Sequence, residues 1–489
     1  MTLTLAQLLG GSDVSGDIVI SGMTVDSRAV KKGDLFVALP GTKQDGRAYI
    51  ADAVQAGASA VLTTEGYRDA KAGVPFIGDV NPRRRYAQLA ARFCGVQPEV
   101  QVAVTGTNGK TSVADFTRQI WWATGVQAAS MGTLGVRSER YTEPGGLTTP
   151  DPLALHKALN MLAINGVDHV AVEASSHGLD QFRLDGMRLQ AAAFTNLTRD
   201  HLDYHRTEQG YFYAKARLFG DLLGPQGSAV INTDDPWGRI LEDIAWARGQ
   251  SLLTVGCNAD AMLRLISQDV APDGQHLSVE FCGSPYDVNL PLVGTFQAHN
   301  ALVAAGLVIA TGGVPDEVFA ALEGLTGVPG RMELVGCVDT GGSVFVDYAH
   351  TPDGLRTVLN AARAHNPAKL HVVFGCGGDR DAGKRPLMGQ IAHDLADCVY
   401  VTDDNPRSEN AGEIRRQIMA ACPNALEIGD RRAAIEAAMS SLGAGDMLIV
   451  SGKGHEEGQI IGGDVVPFSD IGTVREILGA ASSQMGVGA

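Results

Sequence analysis

The chain has 489 residues and carries 39 Lys and Arg against 55 Asp and Glu, for a formal net charge of −16. At roughly 100 to 200 residues per domain, that length implies about three domains, and an acidic balance with no basic run argues against a nucleic-acid surface. The 7 cysteines are scattered without a CxxC pair, MTLTLAQLLGG has no basic region ahead of its apolar residues, and no run of about 18 apolar residues follows, so a reduced, cytoplasmic chain without membrane insertion is expected.

Over residues 1–90, short β-like runs at 17–20, 34–38, 60–63 and 75–77 accompany an Ala-rich helical stretch at 48–56, the pattern of a small α/β domain. From residue 100 the order becomes strand, glycine loop, helix in QVAVTGTNGKTSVADFTRQIWWATG, and HVAVEAS, AAAFTN and SAVINTDD supply further strands. Apolar strands alternating with helical segments imply a mostly parallel, covered sheet. The polar residues Glu173, Asn196 and Asn232 end these strands, where such sheets place their ligands. A third α/β unit begins near TGVPGRMELVG. Its apolar runs lead into DYAHTPDG, GCGGDRD, TDDNPR and SGKGHE, which predicts four loops at one sheet edge. The expected domains are 1–90, 91–328 and 329–489.

AVTGTNGKTS is the most specific local signal. Glycines let backbone N–H groups approach phosphate oxygens, the helix that follows presents its positive end, Lys110 supplies a cation and the Thr111 hydroxyl suits Mg²⁺. The loop, Gly106, Thr107, Asn108, Gly109, Lys110, Thr111 and then Ser112, is shorter than the standard phosphate loop, which would need glycine at Val104. Other residues leave their alternatives open. Glu173 suits a hard cation or a helix cap. In NLTRDHLDYH, His201 fits a site or a structural hydrogen bond, beside Asp200, Asp203 and His205. Lys215 in YFYAKARLF reads first as a snorkelling lysine and, in an apolar setting, as a neutral reactive amine.

These pieces in this order resemble the Mur ligase family of ATP-dependent amino-acid-adding enzymes. VDSRAVKKGDLFVALPG, GTNGKTS, TTPD, EASSHGLDQFR, TNLTRDHLDYH, YAKARLF, GTFQAHNALVAA, GRME, DYAHTPDGL, GCGGDRDAGKRP, DDNPR and GKGHE carry the resemblance across nearly the whole chain. It implies a central sheet of the phosphate-loop ATPase type flanked by a small N-terminal α/β domain and a C-terminal Rossmann-like domain. It also implies that Val25, Ser27, Thr42, Lys43, Gln44, Thr148, Thr149, Ser175, Gln181 and Arg183 hold UDP-MurNAc-L-Ala-D-Glu. ATP would meet the glycine loop together with Asn300, Arg331, Asp347 and His350. Thr111, Glu173, His201 and a CO₂-derived carbamate on Lys215 would form the Mg²⁺ environment, with Lys110, Lys215 and His201 in catalytic roles. A monomer is expected.

The implied reaction phosphorylates a carboxylate from ATP and then lets an amine displace the phosphate, with closure of the third domain excluding water. The form DNPR, Asp404, Asn405, Pro406 and Arg407, resembles the version that selects meso-diaminopimelate, and Arg380, Gly452 and Glu456 would join it. A guanidinium grips the extra carboxylate of that amino acid, whereas L-lysine would bring only another cation. The competing readings are a lysine-adding ligase, a folylpolyglutamate synthase, a nucleotide-dependent switch and, for Arg407 alone, a surface ion pair.

Overall fold

The computed structural model describes residues 2–11, 18–41, 44–69, 71–271 and 274–485. They fall into two compact units, Met1–Val255 with Val303–Val318, and Gly256–Leu302 with Phe319–Ala489. Three α/β sheets give the chain its three-domain arrangement: the N-terminal sheet and the parallel strands of the central sheet belong to the first unit, and the C-terminal sheet to the second.

In the N-terminal sheet, Gly22–Thr24, Asp34–Val37, Ala60–Thr64 and Phe76–Asp79 lie parallel in that order. Successive strand side chains point to opposite faces. Leu35, Val37, Ala60 and Leu62 therefore pack on Tyr86, Leu89 and Phe93, while Phe36 and Val61 pack on Ile50 and Ala53. Tyr86, Leu89 and Phe93 belong to the helix Pro82–Cys94, which Asn81 caps through Arg84 N at 3.0 Å and which has proline in its first turn. The boundary expected at residue 90 falls inside this helix, whose last turn is still part of the N-terminal core. The Tyr86 hydroxyl donates to Asp151 at 2.9 Å, and Asp151 caps the helix Pro152–Ile164, which ties this sheet's covering helix to the next domain.

The parallel part of the central sheet runs Ser251–Gly256, Ser228–Asn232, Leu189–Phe194, Val100–Thr105, His169–Glu173 and Ala128–Gly132, with Gly135–Arg137 antiparallel beside the last. Parallel pairing puts the C-terminal ends of Val100–Thr105 and both its neighbours on one edge, so Gly106 emerges between Glu173 and Thr195.

In the second unit, Ser343–Asp347, Met447–Ser451, Leu370–Phe374, Cys398–Val401 and Leu426–Glu427 are parallel neighbours, with Glu333–Cys337 antiparallel at one side. The four motif loops leave the same edge of this sheet, as the sequence implies. Antiparallel strands Leu263–Ala271, Gly274–Phe281 and Ser284–Leu290, and the hairpin Gly458–Ile461 with Asp464–Pro467, were not anticipated. One face of the three strands is buried through Leu263, Leu265, Leu277, Val279, Val288 and Leu290, but the far end of 263–271, the start of 284–290 and the outer hairpin strand are polar or exposed, which shortens the alternation that can be read.

Behind the loops of this unit, Arg431 and Asp470 form an ion pair with both side chains fully buried. Arg431 Nε and Nη2 each donate to the carboxylate at 2.7 Å, Nη2 reaches Ser451 O at 2.9 Å and Nη1 reaches Asp403 O at 3.4 Å. One side chain thus ties two of the motif loops to the start of the last helix, Asp470–Met485. Removing one partner strands a buried charge, so Asp470→Asn should cost roughly 3–5 kcal/mol in denaturant unfolding, and a loss below about 1 kcal/mol would refute this account.

Candidate functional site

The glycine loop is shaped by the neighbouring strand end. Thr107 N donates to Asn196 O at 2.8 Å and Asn108 N to Asn196 Oδ1 at 2.9 Å, while the Thr195 hydroxyl donates to Asn108 O at 2.6 Å. Asn232 Nδ2 in turn holds Thr195 O at 2.6 Å. Asn196 and Asn232, which the sequence placed among ligand-facing residues, therefore brace the loop. Gly106 has φ +152° and Gly109 φ +87°, and a Cβ at Gly106 would collide with Thr195 Oγ1. The helix Lys110–Ala123 starts at Gly109 without a side-chain cap, leaving its first N–H groups to the loop mouth.

Two lysines converge on this loop. Lys110 Nζ donates to Gly106 O at 2.9 Å and Thr107 O at 2.8 Å, and Lys215 Nζ donates to Gly106 O at 2.6 Å. Lys215, 1% exposed on the helix Glu208–Arg217, lies 4.4 Å over the Tyr211 ring. The ring favours the cation, but burial and then the charge of Lys110 hold the Lys215 amine well below its ordinary pKa. The surface-lysine reading is thereby overturned: a helix segment with aromatic residues on both sides gives no sign in sequence of which face is covered.

Thr111 Oγ1 donates to Glu173 Oε2 at 2.9 Å, and Thr133 adds its N–H at 2.8 Å and its hydroxyl at 3.3 Å to the same carboxylate. A carboxylate and hydroxyls are the oxygen donors that a hard cation takes, so these residues fit Mg²⁺. His201 meets this cluster through its ring, 6.0 Å from that of Tyr211 and 4.9 Å from that of His177, while its backbone N–H donates to Asp200 Oδ1 at 2.8 Å. Burial, against the pull of Asp200, holds its pKa down. Thr133 and Tyr211 were not singled out from the sequence: Thr133 stands in no quoted motif, and Tyr211, at the head of YFYAKARLF, carries nothing that distinguishes it from the aromatic residues beside it.

Beside Glu173, Thr149 Oγ1 donates to Glu173 O at 2.8 Å and accepts from Ser175 N and Oγ at 3.0 Å each. The Thr148 and Thr133 hydroxyl oxygens lie within hydrogen-bonding distance at 3.0 Å, and Arg183 reaches Thr149 O and Gln181 Oε1, both at 2.7 Å. Thr148, Thr149, Ser175, Gln181 and Arg183 are thus one network adjoining the glycine loop. Val25 and Gln44 are exposed and Ser27 opens the turn Ser27–Ala29, whereas Thr42 and Lys43 lie outside the described residues.

In the second unit, Asn300 donates to Gln297 Oε1 at 2.9 Å, and Gln297 donates to Arg331 O at 3.4 Å. The Arg331 guanidinium sits 4.4 Å over the Tyr348 ring, with the His350 ring 4.8 Å from the same ring. Asp347 accepts Met332 N and Ala349 N at 2.7 Å each, and burial raises its pKa despite Arg331. The DNPR turn meets the other loops of this edge: Arg407 Nη1 donates to Gly378 O at 2.8 Å, and Asn405 Nδ2 to Glu456 Oε2 at 3.1 Å. Gly452, at φ +121°, leaves only 2.8 Å between a would-be Cβ and Asp404 Oδ2, and Arg380 is exposed on the GGDRD loop.

Residues 19–94 match the model for the Mur ligase family, catalytic domain, residues 104–308 the Mur ligase middle domain, and residues 330–454 the Mur ligase, glutamate ligase domain. A UDP-N-acetylmuramoyl-L-alanyl-D-glutamate--2,6-diaminopimelate ligase of Chelativorans sp. (strain BNC1) is 54% identical, over 96% of this chain and 97% of that protein. Its namesake from Rhizobium meliloti (strain 1021) is 55% identical, over 97% and 96%. A solved structure under the same enzyme name covers 99% of this chain and 100% of its own, at 33% identity and a TM-score of 0.73.

Two expectations follow from the loop. Gly106→Ala must displace Thr195 and keep a strained backbone at about 1–3 kcal/mol, so ATP affinity by fluorescence titration should fall about tenfold or more. Because folding lowers the Lys215 pKa, the unfolded chain binds more protons between the folded and unfolded values, and stability rises with pH across that interval. Lys215→Met removes this penalty, so its melting temperature should exceed the wild type's by more at pH 7 than at pH 9.5.

Proposed function

The chain belongs to the Mur ligase family, and on that premise we propose that it joins meso-diaminopimelate to UDP-MurNAc-L-Ala-D-Glu with ATP as the activating co-substrate. The D-glutamyl γ-carboxylate attacks the γ-phosphorus, ADP leaves, and an acyl phosphate forms. The amine nitrogen of diaminopimelate then attacks the acyl carbon and loses a proton, and phosphate departs. Activation is needed because a carboxylate oxygen is too poor a leaving group for direct amide formation.

Lys110 stands at the loop mouth to offset charge on the phosphoryl group as it moves. Mg²⁺, when bound, supplies further charge neutralisation there, held by Thr111 and Glu173. Lys215 has a buried amine held toward its neutral form, which can add to CO₂: its nitrogen forms the new N–C bond, a proton is lost, and the resulting carbamate offers two oxygens where the amine offered none. His201 completes the set as a neutral imidazole. Thr148, Thr149, Ser175, Gln181 and Arg183, beside Glu173, suit the peptide end of the acceptor, and Val25, Ser27 and the turn containing Gln44 its nucleotide end. Asn300, Arg331, Asp347 and His350 are assigned to the nucleotide. We assign the work to a monomer in the cytoplasm; no helix among the described residues is long and apolar enough to cross a membrane.

The observation that carries the choice of amino acid is Arg407, on a turn whose neighbours include the Glu456 carboxylate. A guanidinium and a carboxylate in one loop cluster suit a ligand bearing both a carboxylate and an ammonium at its far end. Phosphate release with ATP, Mg²⁺ and UDP-MurNAc-L-Ala-D-Glu should be stimulated by meso-diaminopimelate and not by L-lysine. Arg407→Lys should lose about 10- to 100-fold in kcat/KM for diaminopimelate, the equivalent of roughly 1.5–3 kcal/mol for a hydrogen bond to a charged group. Equal use of lysine would overturn the assignment of the amino acid, and no response to either would overturn the ligase reading.

A further inference from the structure

The glutamate ligase domain match ends at residue 454, and the hairpin of Gly458–Ile461 and Asp464–Pro467 follows it. Its outer strand is exposed at all four positions, Val465 to 68% and Val466 to 44%, so core burial is not what this hairpin contributes. Its inner strand instead gives its hydrogen bonds to the DNPR turn. Arg407 N donates to Ile460 O at 3.0 Å and Gly462 N donates back to Arg407 O at 2.8 Å. Gln459 Nε2 donates to Asp404 O at 2.6 Å, and Ile460 N donates to Asn405 Oδ1 at 2.9 Å.

These bonds matter because Arg407 is a non-glycine residue at φ +51°, a conformation an L residue holds only when its surroundings impose it. The clamp on both its N–H and its carbonyl imposes it here. Lys453, fully buried, anchors the base of the same device, donating to Gly458 O at 2.8 Å and to Asn405 Oδ1 at 2.9 Å. With two donors on Oδ1, the Asn405 amide has one orientation, which turns Nδ2 toward Glu456. Gly377 makes room for the result, since a Cβ there would come within 2.8 Å of Arg407 Nη1.

We propose that this hairpin is a specificity element that sets which amino acid is accepted, with Gln459 and Lys453 as positioning residues that hold Arg407 and Asn405 in their binding geometry. The proposal rests on the ligase reading above. Neither Gln459 nor Lys453 needs to touch the amino acid; they fix the frame from which Arg407 and Glu456 do so, and small misplacements of such groups are costly.

The test is steady-state kinetics on the full chain for Gln459→Glu, which keeps the shape but cannot donate, together with Gln459→Leu and Lys453→Met. Loss of one neutral hydrogen bond predicts a rise of about threefold to tenfold in KM for meso-diaminopimelate in both Gln459 variants. The preference for diaminopimelate over L-lysine should fall by a similar factor, while KM for ATP and for the nucleotide-sugar peptide stays within about twofold. Lys453→Met should move the same ratio further. Should burial of Lys453 make that variant fail to fold, the partly exposed Gln459 decides the matter. Unchanged preference in normally melting Gln459 variants, or an equal loss for every substrate, would overturn the proposal. Wild-type protein that ignores diaminopimelate altogether would instead overturn the underlying reading, before any variant is compared.

Discussion

The carbonyl of Gly106 receives two lysine side chains, and the chemistry of the first unit depends on that shared acceptor. A backbone oxygen accepts from both amines but cannot neutralise two positive charges in a buried setting. Lys110, nearer the loop mouth, keeps a second carbonyl partner, and Lys215 is the one pushed toward its neutral form. The loop can bring its carbonyl there only because position 106 lacks a side chain and because Thr195 and Asn196 hold the backbone from the adjacent strand. Protonation state, phosphate-loop shape and strand order are consequences of one another.

The same device recurs in the second unit. Arg407 is held by Gly378 O, whereas Lys453 and Arg431 have carboxylates beside their carbonyl partners, Glu456 at 3.5 Å and Asp470 at 2.7 Å. Main-chain carbonyls fix a cation's position without cancelling its charge, so an anionic group brought to the loops still feels it. Where full compensation is present, as between Arg431 and Asp470, the pair is enclosed and serves the framework. Where the partners are carbonyls, as for Arg407, the guanidinium keeps its charge at the loop edge.

Much of this was legible in the sequence, because parallel strands with polar ends announce both the sheet and the edge at which loops gather. The sequences GTNGKTS, DYAH, GCGGDRD, DDNPR and GKGHE each follow an apolar run, and each stands where that pattern puts it. The unreadable parts have two physical causes. In strands 263–271 and 284–290 the buried alternation is confined to short stretches, Leu263 with Leu265 and Val288 with Leu290, and the outer hairpin strand 464–467 is exposed throughout, so little of a period of two is left to read. Pairings such as Arg431 with Asp470, or Asn196 with the glycine loop, join residues distant in the chain whose types alone name no partner. Lys215 shows the limit from the other side: composition gave it two roles, and only its enclosure by Tyr211 and the loop separates them.

The Arg431 ion pair has a consequence for the order in which the molecule can be completed during synthesis. Arg431 holds the backbone of both the TDDNPR and SGKGHE loops, yet its countercharge comes from residue 470, at the head of the last helix. A nascent chain halted before that point has the strands of this sheet and the motif residues in hand, but lacks the carboxylate that accepts from both Nε and Nη2 of Arg431. The two loops therefore gain the buried anchor that joins their backbones only when residue 470 is in place, however complete the sheet beneath them already is.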